Sequence, residues 1–235
     1  EKTTIMNPPA EGFNLAESDE KAIQIADRVM EAMGGRKNWD DTRFIQWTFF
    51  GRRDLYWDKK EGRVRIEIPE KEMVMLVNVF DNTGKIQVAG EELTEPDSIT
   101  KYVQQAKSIW INDSYWLVMP FKLKDSGVTL KYLREDTTTV GQLADVLELT
   151  FTGVGDTPEN KYEVFVDKES NLVTQWDFYR TVKDTKAQFK TPWANYKTYG
   201  KVKLSGNRGN YHLNNIAVLE TMDDAVFTDF APLTP

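Results

Sequence analysis

The chain carries a single histidine, His212, and no cysteine. Chemistry must therefore come from carboxylates, lysines, tyrosines and arginines. One imidazole beside Tyr211 in a polar stretch reads as a titrating surface histidine, and the composition argues against a Ser-His-Asp triad, His-ligated zinc and thiol chemistry. Adjacent carboxylates occur at Asp40-Asp41, Glu91-Glu92 and Asp223-Asp224. Acid/base hydrolysis needs two carboxyls facing each other across a bond, whereas neighbours along a strand point to opposite faces, so these pairs read as solvated turn charges. Asp167, Glu169 and Asn171 alternate like calcium-loop donors. Without the remainder of an EF-hand they read as a hairpin turn. Gly206 to Gly209 lacks the spacing and the following helix of a phosphate loop. Arg63 and Arg65 leave one strand on the same face, where acidic neighbours or a headgroup could meet them. The expectation is a non-catalytic protein with no metal and no cofactor.

The elements that must position these groups are legible from hydrophobic period. Ser18 can cap a helix with Asp19 and Glu20 in its first turn, and Gly34-Gly35 stops it. Its apolar face is Ala22, Ile23, Ala26, Val29, Met30 and Met33. From Thr42 the period becomes two, with Ile45, Trp47 and Phe49 on one face of a strand, then Leu55 and Trp57, then Val64, Ile66 and Ile68 against Arg63, Arg65 and Glu67, which reads as a meander of half-buried antiparallel strands. Asp58 to Gly62 and Asp81 to Gly84 carry hairpin-turn chemistry. Met73 to Phe80 is apolar on both faces, so something must cover its second side. The cover is expected to be a second helix opened by Thr94-Glu95-Pro96-Asp97, with Ile99, Tyr102, Val103, Ala106, Ile109 and Trp110 at helical spacing. The segment Tyr115 to Phe121 ends that block, with an aromatic and methionine content unusual for a connector. Strands are then expected at 129–133, 146–152, 162–166, 172–179, 185–190, 197–204, 215–219 and 226–230.

With 40% hydrophobic and 29% charged residues, a chain of 235 residues suits one sizeable domain. Lys+Arg 30 against Asp+Glu 37 gives a formal charge of -7 and no basic stripe, which argues against nucleic acid. Residues 1–14, with Pro8, Pro9 and Gly12, read as a flexible tether, and 15–235 as a single domain. The chain starts at Glu1, so a removed leader is expected, and with it a membrane tether through a lipid on a lost residue.

The element order, the middle segment Asn112-Asp113-Ser114-Tyr115-Trp116-Leu117-Val118-Met119-Pro120-Phe121, and the later hairpins together resemble the LolA/LolB lipoprotein-localisation superfamily. Those hairpins are Tyr162 to Asp167 with Leu172 to Tyr179, and Asn195-Tyr196-Lys197 with Lys201 to Leu204. The resemblance implies a mainly β (α+β) fold: a half-open antiparallel β-barrel or strongly curved sheet of about 10–12 strands, with helices covering an apolar concave face. It also implies an exported, periplasmic or outer-membrane-associated protein. The expected function is to bind or carry a hydrophobic ligand, such as an acyl chain, a lipid or a lipoprotein anchor. Methionines and aromatics suit an irregular apolar ligand, so the cavity candidates are Trp47, Phe49, Trp57, Met73, Met75, Val77, Trp116, Met119, Trp176 and Phe178. Two rival readings stand beside this one. A carbohydrate-binding or glycan-processing envelope protein would show exposed tryptophans and two converging carboxylates. An interaction or sensor module of an envelope assembly would show an apolar patch outside the sheet.

Overall fold

The computed structural model describes residues 7–233. The chain divides into two compact units, one of residues 40–117 with 211–235, the other of residues 1–39 with 118–210. Helices α1 (Glu20–Ala32) and α2 (Arg36–Asp41) precede β1 (Phe44–Phe49), β2 (Arg53–Asp58), β3 (Arg63–Ile68), β4 (Met73–Asn78), β5 (Thr83–Val88) and β6 (Glu91–Glu92). After α3 (Pro96–Val118) come β7 (Val128–Thr137), β8 (Leu143–Phe151), β9 (Lys161–Asp167), β10 (Val173–Tyr179) and β11 (Phe189–Pro192). The chain closes with β12 (Ala194–Tyr199), β13 (Val202–Arg208), β14 (Tyr211–Leu219) and α4 (Ala225–Thr228). The fold is mainly β with antiparallel, open sheets, as the sequence leads one to expect.

In the unit of residues 40–117 and 211–235 the strands run β14-β1-β2-β3-β4-β5-β6, and each pairing is antiparallel. Register sets the two faces. Ile45 lies opposite Trp57 and Trp47 opposite Leu55; Val64 and Ile66 then lie opposite Val77 and Met75. This apolar face carries α3, whose Trp110 packs edge-on against Trp57 at 5.4 Å between ring centroids. Leu76 points to the other face and is buried there, on the side where α4 packs Phe227 against Phe44. Strand β4 is thus covered twice, as its composition requires, but α3 covers the Met73-Met75-Val77 side and α4 takes the second.

Two expectations are corrected here. The segment Tyr115 to Phe121 is not a connector throughout. Helix α3 continues to Val118 and a short 3-10 turn, Met119–Lys122, follows, because nothing before Pro120 breaks the helix. The expected strand at 226–230 is instead α4 and an extended exit: the Asp223 carboxylate accepts from the Ala225 N–H at 2.9 Å and starts a turn.

In the other unit the sheet runs β11-β10-β9-β8-β7, with β12 and β13 forming a hairpin. The stretch 197–204, expected as one strand, breaks at Gly200, which turns β12 into β13. The strand expected at 185–190 forms later, as β11. Helix α1 buries Ala22, Ile25, Ala26, Val29 and Met30; Ile25 takes the core position expected of Ile23. Ser18 does not cap this helix. Asp19 is the N-cap residue, and its carboxylate reaches the Tyr132 N–H at 2.8 Å while the Leu130 N–H donates to the Ser18 hydroxyl at 3.0 Å. These bonds, with Asn14 and Asp19 N–H groups on the Val128 and Leu130 carbonyls, close the edge of β7 against a further strand. Of the segment read as a tether, residues 1–6 lie outside the described residues. Within residues 7–14, Asn7 donates to Asp27 at 3.1 Å and the Ala10 N–H to the Lys124 carbonyl at 2.9 Å.

Gly34, after α1, has φ 118°, and a Cβ there would lie 2.4 Å from the Lys201 carbonyl oxygen. Neither the backbone conformation nor the facing backbone can yield cheaply. Gly34→Ala is expected to lower stability by about 2–4 kcal/mol in denaturant unfolding, with Gly90→Ala, which meets nothing within 4 Å, costing less.

Candidate functional site

Six candidates fall together. Trp47, Phe49, Trp57, Met73, Met75 and Val77 occupy the α3-facing side of the seven strands, and each is buried. The alternation of β1, β2 and β4 puts them there, since each strand sends alternate residues to that side. Trp116 stands on α3, half-buried, with its ring edge-on to Phe50 at 5.3 Å. Phe50 itself holds a left-handed backbone (φ 51°) between Phe49, at 4.0 Å, and Tyr211, at 5.0 Å. Met119, Trp176 and Phe178 belong to the other unit. There Met119 is buried in the 3-10 turn, while Trp176 and Phe178 join Tyr162 and Phe189 in a stacked aromatic cluster. Burial in that cluster pushes the Tyr162 phenol up to about 12.

Polar groups punctuate the apolar face. Arg53, beside Phe49 on β2, donates to both Asp113 carboxylate oxygens on α3, at 2.7 and 2.9 Å. Asp113 is fully buried, and burial raises its pKa above the ordinary value against the opposing hydrogen bonds from Arg53 and Asn112. The Arg53 guanidinium also lies 4.9 Å from the Phe49 ring. Farther along α3, Lys107 donates to the Asn82 side chain at 2.7 Å. The indole N–H groups of Trp47, Trp57 and Trp110 are buried with no acceptor among the described residues. A buried donor left unpaired costs about 1–3 kcal/mol, so these are positions where an acceptor would be welcome.

Outside the Phe44 and Leu76 patch that α4 covers, the opposite face of the same strands carries mostly polar side chains. Arg63 and Arg65 do share it, as expected, and both are committed within the protein. Arg63 pairs with Asp58 at 2.8 Å and with Asp224, while Arg65 reaches Glu67 at 2.6 Å and carbonyls beyond α4. Between β14, β1 and β2 lies an open recess of about 490 Å³ lined by residues that include Gln46, Thr48, Asp54, Tyr56 and Asn215. Sequence reading missed it, because its residues lie on three strands and β14 bulges there.

The remaining chemistry-bearing residues take structural places. Glu91 and Glu92 are exposed on β6. Asp223 and Asp224 serve the start of α4 and Arg63, and His212 is exposed, its carbonyl accepting from the Phe50 N–H. The 167–171 segment is the expected hairpin turn: Asp167 accepts from the Ser170 N–H and hydroxyl at 2.7 Å, and Asn171 takes φ 57°. Facing carboxylates arise instead on neighbouring strands, where Glu148 lies opposite Glu163 and Glu163 opposite Asp177. Each has a cation: Lys161 at 3.8 Å, Arg134 at 2.8 Å and Lys190 at 2.9 Å. Like charges side by side need such neutralisation, and the row reads as a structural ion network.

No protein-family model and no curated protein matches the chain. Among solved structures it is similar to a DUF1329 family protein from Desulfovibrio piger, 13% identical, covering 89% of this chain and 98% of that one, with a TM-score of 0.47. It is also similar to a putative outer membrane lipoprotein-sorting protein domain from Vibrio parahaemolyticus: 12% identity, 88% and 96% coverage, TM-score 0.42. A LolA superfamily protein from Nitrosomonas europaea is 12% identical, with 87% and 97% coverage and a TM-score of 0.40. These likenesses carry no argument about what the chain binds. What the chain binds is therefore argued from its own side chains.

Proposed function

We propose that this chain is a non-catalytic binder or carrier of an acyl chain, lipid or lipoprotein anchor in the cell envelope, and that the ligand lies between the apolar strand face and α3. The observation that carries this reading is the contiguous Trp47, Phe49, Trp57, Met73, Met75 and Val77 surface beneath one helix. Between the Arg53–Asp113 pair and the Lys107–Asn82 bond, Trp110 meets that surface through ring contact with Trp57. Methionines on the floor can change rotamer to fit a chain of irregular path. Each CH₂ buried there contributes about 0.8 kcal/mol, so a dozen methylenes give roughly 10 kcal/mol gross against the displacement of helix contacts. An ester or carboxyl oxygen on the ligand supplies the acceptor that the Trp47, Trp57 and Trp110 indoles lack.

The test is direct. Protein purified from cells without detergent is extracted into organic solvent and the extract analysed by mass spectrometry, and delipidated protein is titrated with cis-parinaric acid. Stoichiometric acyl species, and energy transfer from tryptophan to the probe, are the expected results. Met75→Trp, which fills the floor, is expected to weaken probe binding at least tenfold while far-ultraviolet circular dichroism is unchanged. An extract free of acyl species together with no saturable probe binding overturns the proposal.

A further inference from the structure

We infer a second ligand site, for a small neutral saccharide, in the polar recess on the strand face opposite the acyl site. Its existence follows from the β14 bulge. Gln46 pairs with Ala217 and Thr48 with Asn214, which leaves Asn215 and Ile216 together against Trp47. Asn215 accommodates the extra residue at φ 51°, and Ala217 leaves open the space that a larger side chain would fill. The resulting recess, about 490 Å³, has the size of a site for a small organic molecule.

The chemistry of the wall selects the ligand class. On one side the Asn215 amide donates to the Thr48 hydroxyl at 3.0 Å, and that hydroxyl donates to one Asp54 oxygen at 2.5 Å. The relay fixes all three side chains. It leaves the second Asp54 oxygen without a hydrogen-bond partner among the described residues, as are the Gln46 amide and the Tyr56 hydroxyl. Burial, then Glu67 and Asp54, raise the Tyr56 pKa, so the phenol stays protonated and can donate. A ligand here meets an amide that both gives and accepts, a phenol, a carboxylate and the half-buried Tyr56 ring. Vicinal hydroxyls on a ring with an apolar face match that set. Anions are disfavoured, because the lining includes a carboxylate and no cation. A hydrocarbon would strand the polar groups. With one carboxylate and no exposed tryptophan in the lining, the recess suits binding of a sugar rather than hydrolysis, which calls for a pair of carboxyls.

The experiment is a titration of the isotopically labelled full chain with maltose, cellobiose and N,N′-diacetylchitobiose, each to about ten millimolar, followed by amide chemical shifts. Saturable shifts confined to residues 46–56 and 213–218 are expected for at least one sugar. Ala217→Phe, which fills the recess and removes no polar group, and Gln46→Ala are each expected to weaken that binding at least tenfold with the rest of the spectrum retained. Met75→Trp, on the opposite face, is expected to leave it unchanged, so this site and the acyl site succeed or fail separately. The absence of saturable shifts for all three sugars overturns the proposal. So does an equal response to ethylammonium chloride, which would make the recess an amine site, or sugar binding that survives Ala217→Phe.

Discussion

Replacing Arg53 with Met is expected to lower the unfolding free energy by about 3–5 kcal/mol near pH 8, and by progressively less as the pH falls toward 5. Asp113 is fully buried on α3, and Arg53 gives it two hydrogen bonds, at 2.7 and 2.9 Å. Without the guanidinium, an uncompensated carboxylate remains in an apolar setting beside Phe49, or the group must take up a proton. The sign of the pH dependence follows from the direction of the shift. Asp113 is raised above its ordinary value, chiefly by burial. A carboxyl so raised contributes stability that is complete below the unfolded pKa, about 3.9, and is lost as pH rises through the folded pKa. Arg53 opposes the rise, so its removal moves the folded pKa farther up and widens the interval over which stability is lost. Urea unfolding of wild type and Arg53→Met at the two pH values reads the difference. A deficit independent of pH, or below about 1 kcal/mol, would sink the idea that this pair holds α3 to the sheet. The double variant Arg53→Met with Asp113→Leu is expected to recover most of the loss, since a buried pair replaced by apolar groups of similar size is often neutral.

Arg65→Leu is expected to cost a comparable amount, about 3–5 kcal/mol, by a different route. Arg65 is 1% exposed yet charged, and its guanidinium reaches the Asp229 carbonyl at 2.7 Å, the Ala231 carbonyl at 3.0 Å and Glu67 at 2.6 Å. The carbonyls it captures belong to the exit from α4, a four-residue helix far too short to persist on its own propensity. Losing this fork leaves the cover of Leu76 and Phe44 held by Phe227 and the Arg63–Asp224 pair alone among the contacts described. Proteolysis within residues 222–233 should accelerate in step with the fall in stability. Arg65→Lys keeps the charge but not the planar fork, and is expected to restore only part of it. A variant within about 0.5 kcal/mol of wild type, with the same cleavage pattern, would show that the C-terminal segment holds without Arg65.

The sequence by itself determined the elements whose signals are local. Period-two alternation in Ile45-Trp47-Phe49 and Val64-Ile66-Ile68 is a property of consecutive residues, and it marked these strands and put each trio on one side of its own strand. The turns Asp58 to Gly62 and Asp167 to Asn171, the position of α1 and the two-sided burial of β4 were legible for the same reason. Local signals misled where a distant group decides conformation. Residues 226–230 have a strand's composition, but the turn in which the Asp223 carboxylate accepts from the Ala225 N–H and the Arg65 fork make them a turn of helix and its exit. Tyr115 to Val118 looked like a connector because aromatics are neutral in helix propensity, and their packing, Trp116 on Phe50, lies some 66 residues away in the chain.

Only the tertiary structure decided which side chains meet. Arg53 and Asp113 are separated by 60 residues, Thr48 and Asn215 by 167, and Glu163 finds Asp177 through strand register. Pairing register is set by burial summed over whole strands and by a bulge of one residue, neither of which leaves a mark within any short window of sequence. That is why the alternating strands could be read in advance, while the gathering of six of the ten candidates on one face, the ion pair beneath α3 and the polar recess behind it could not.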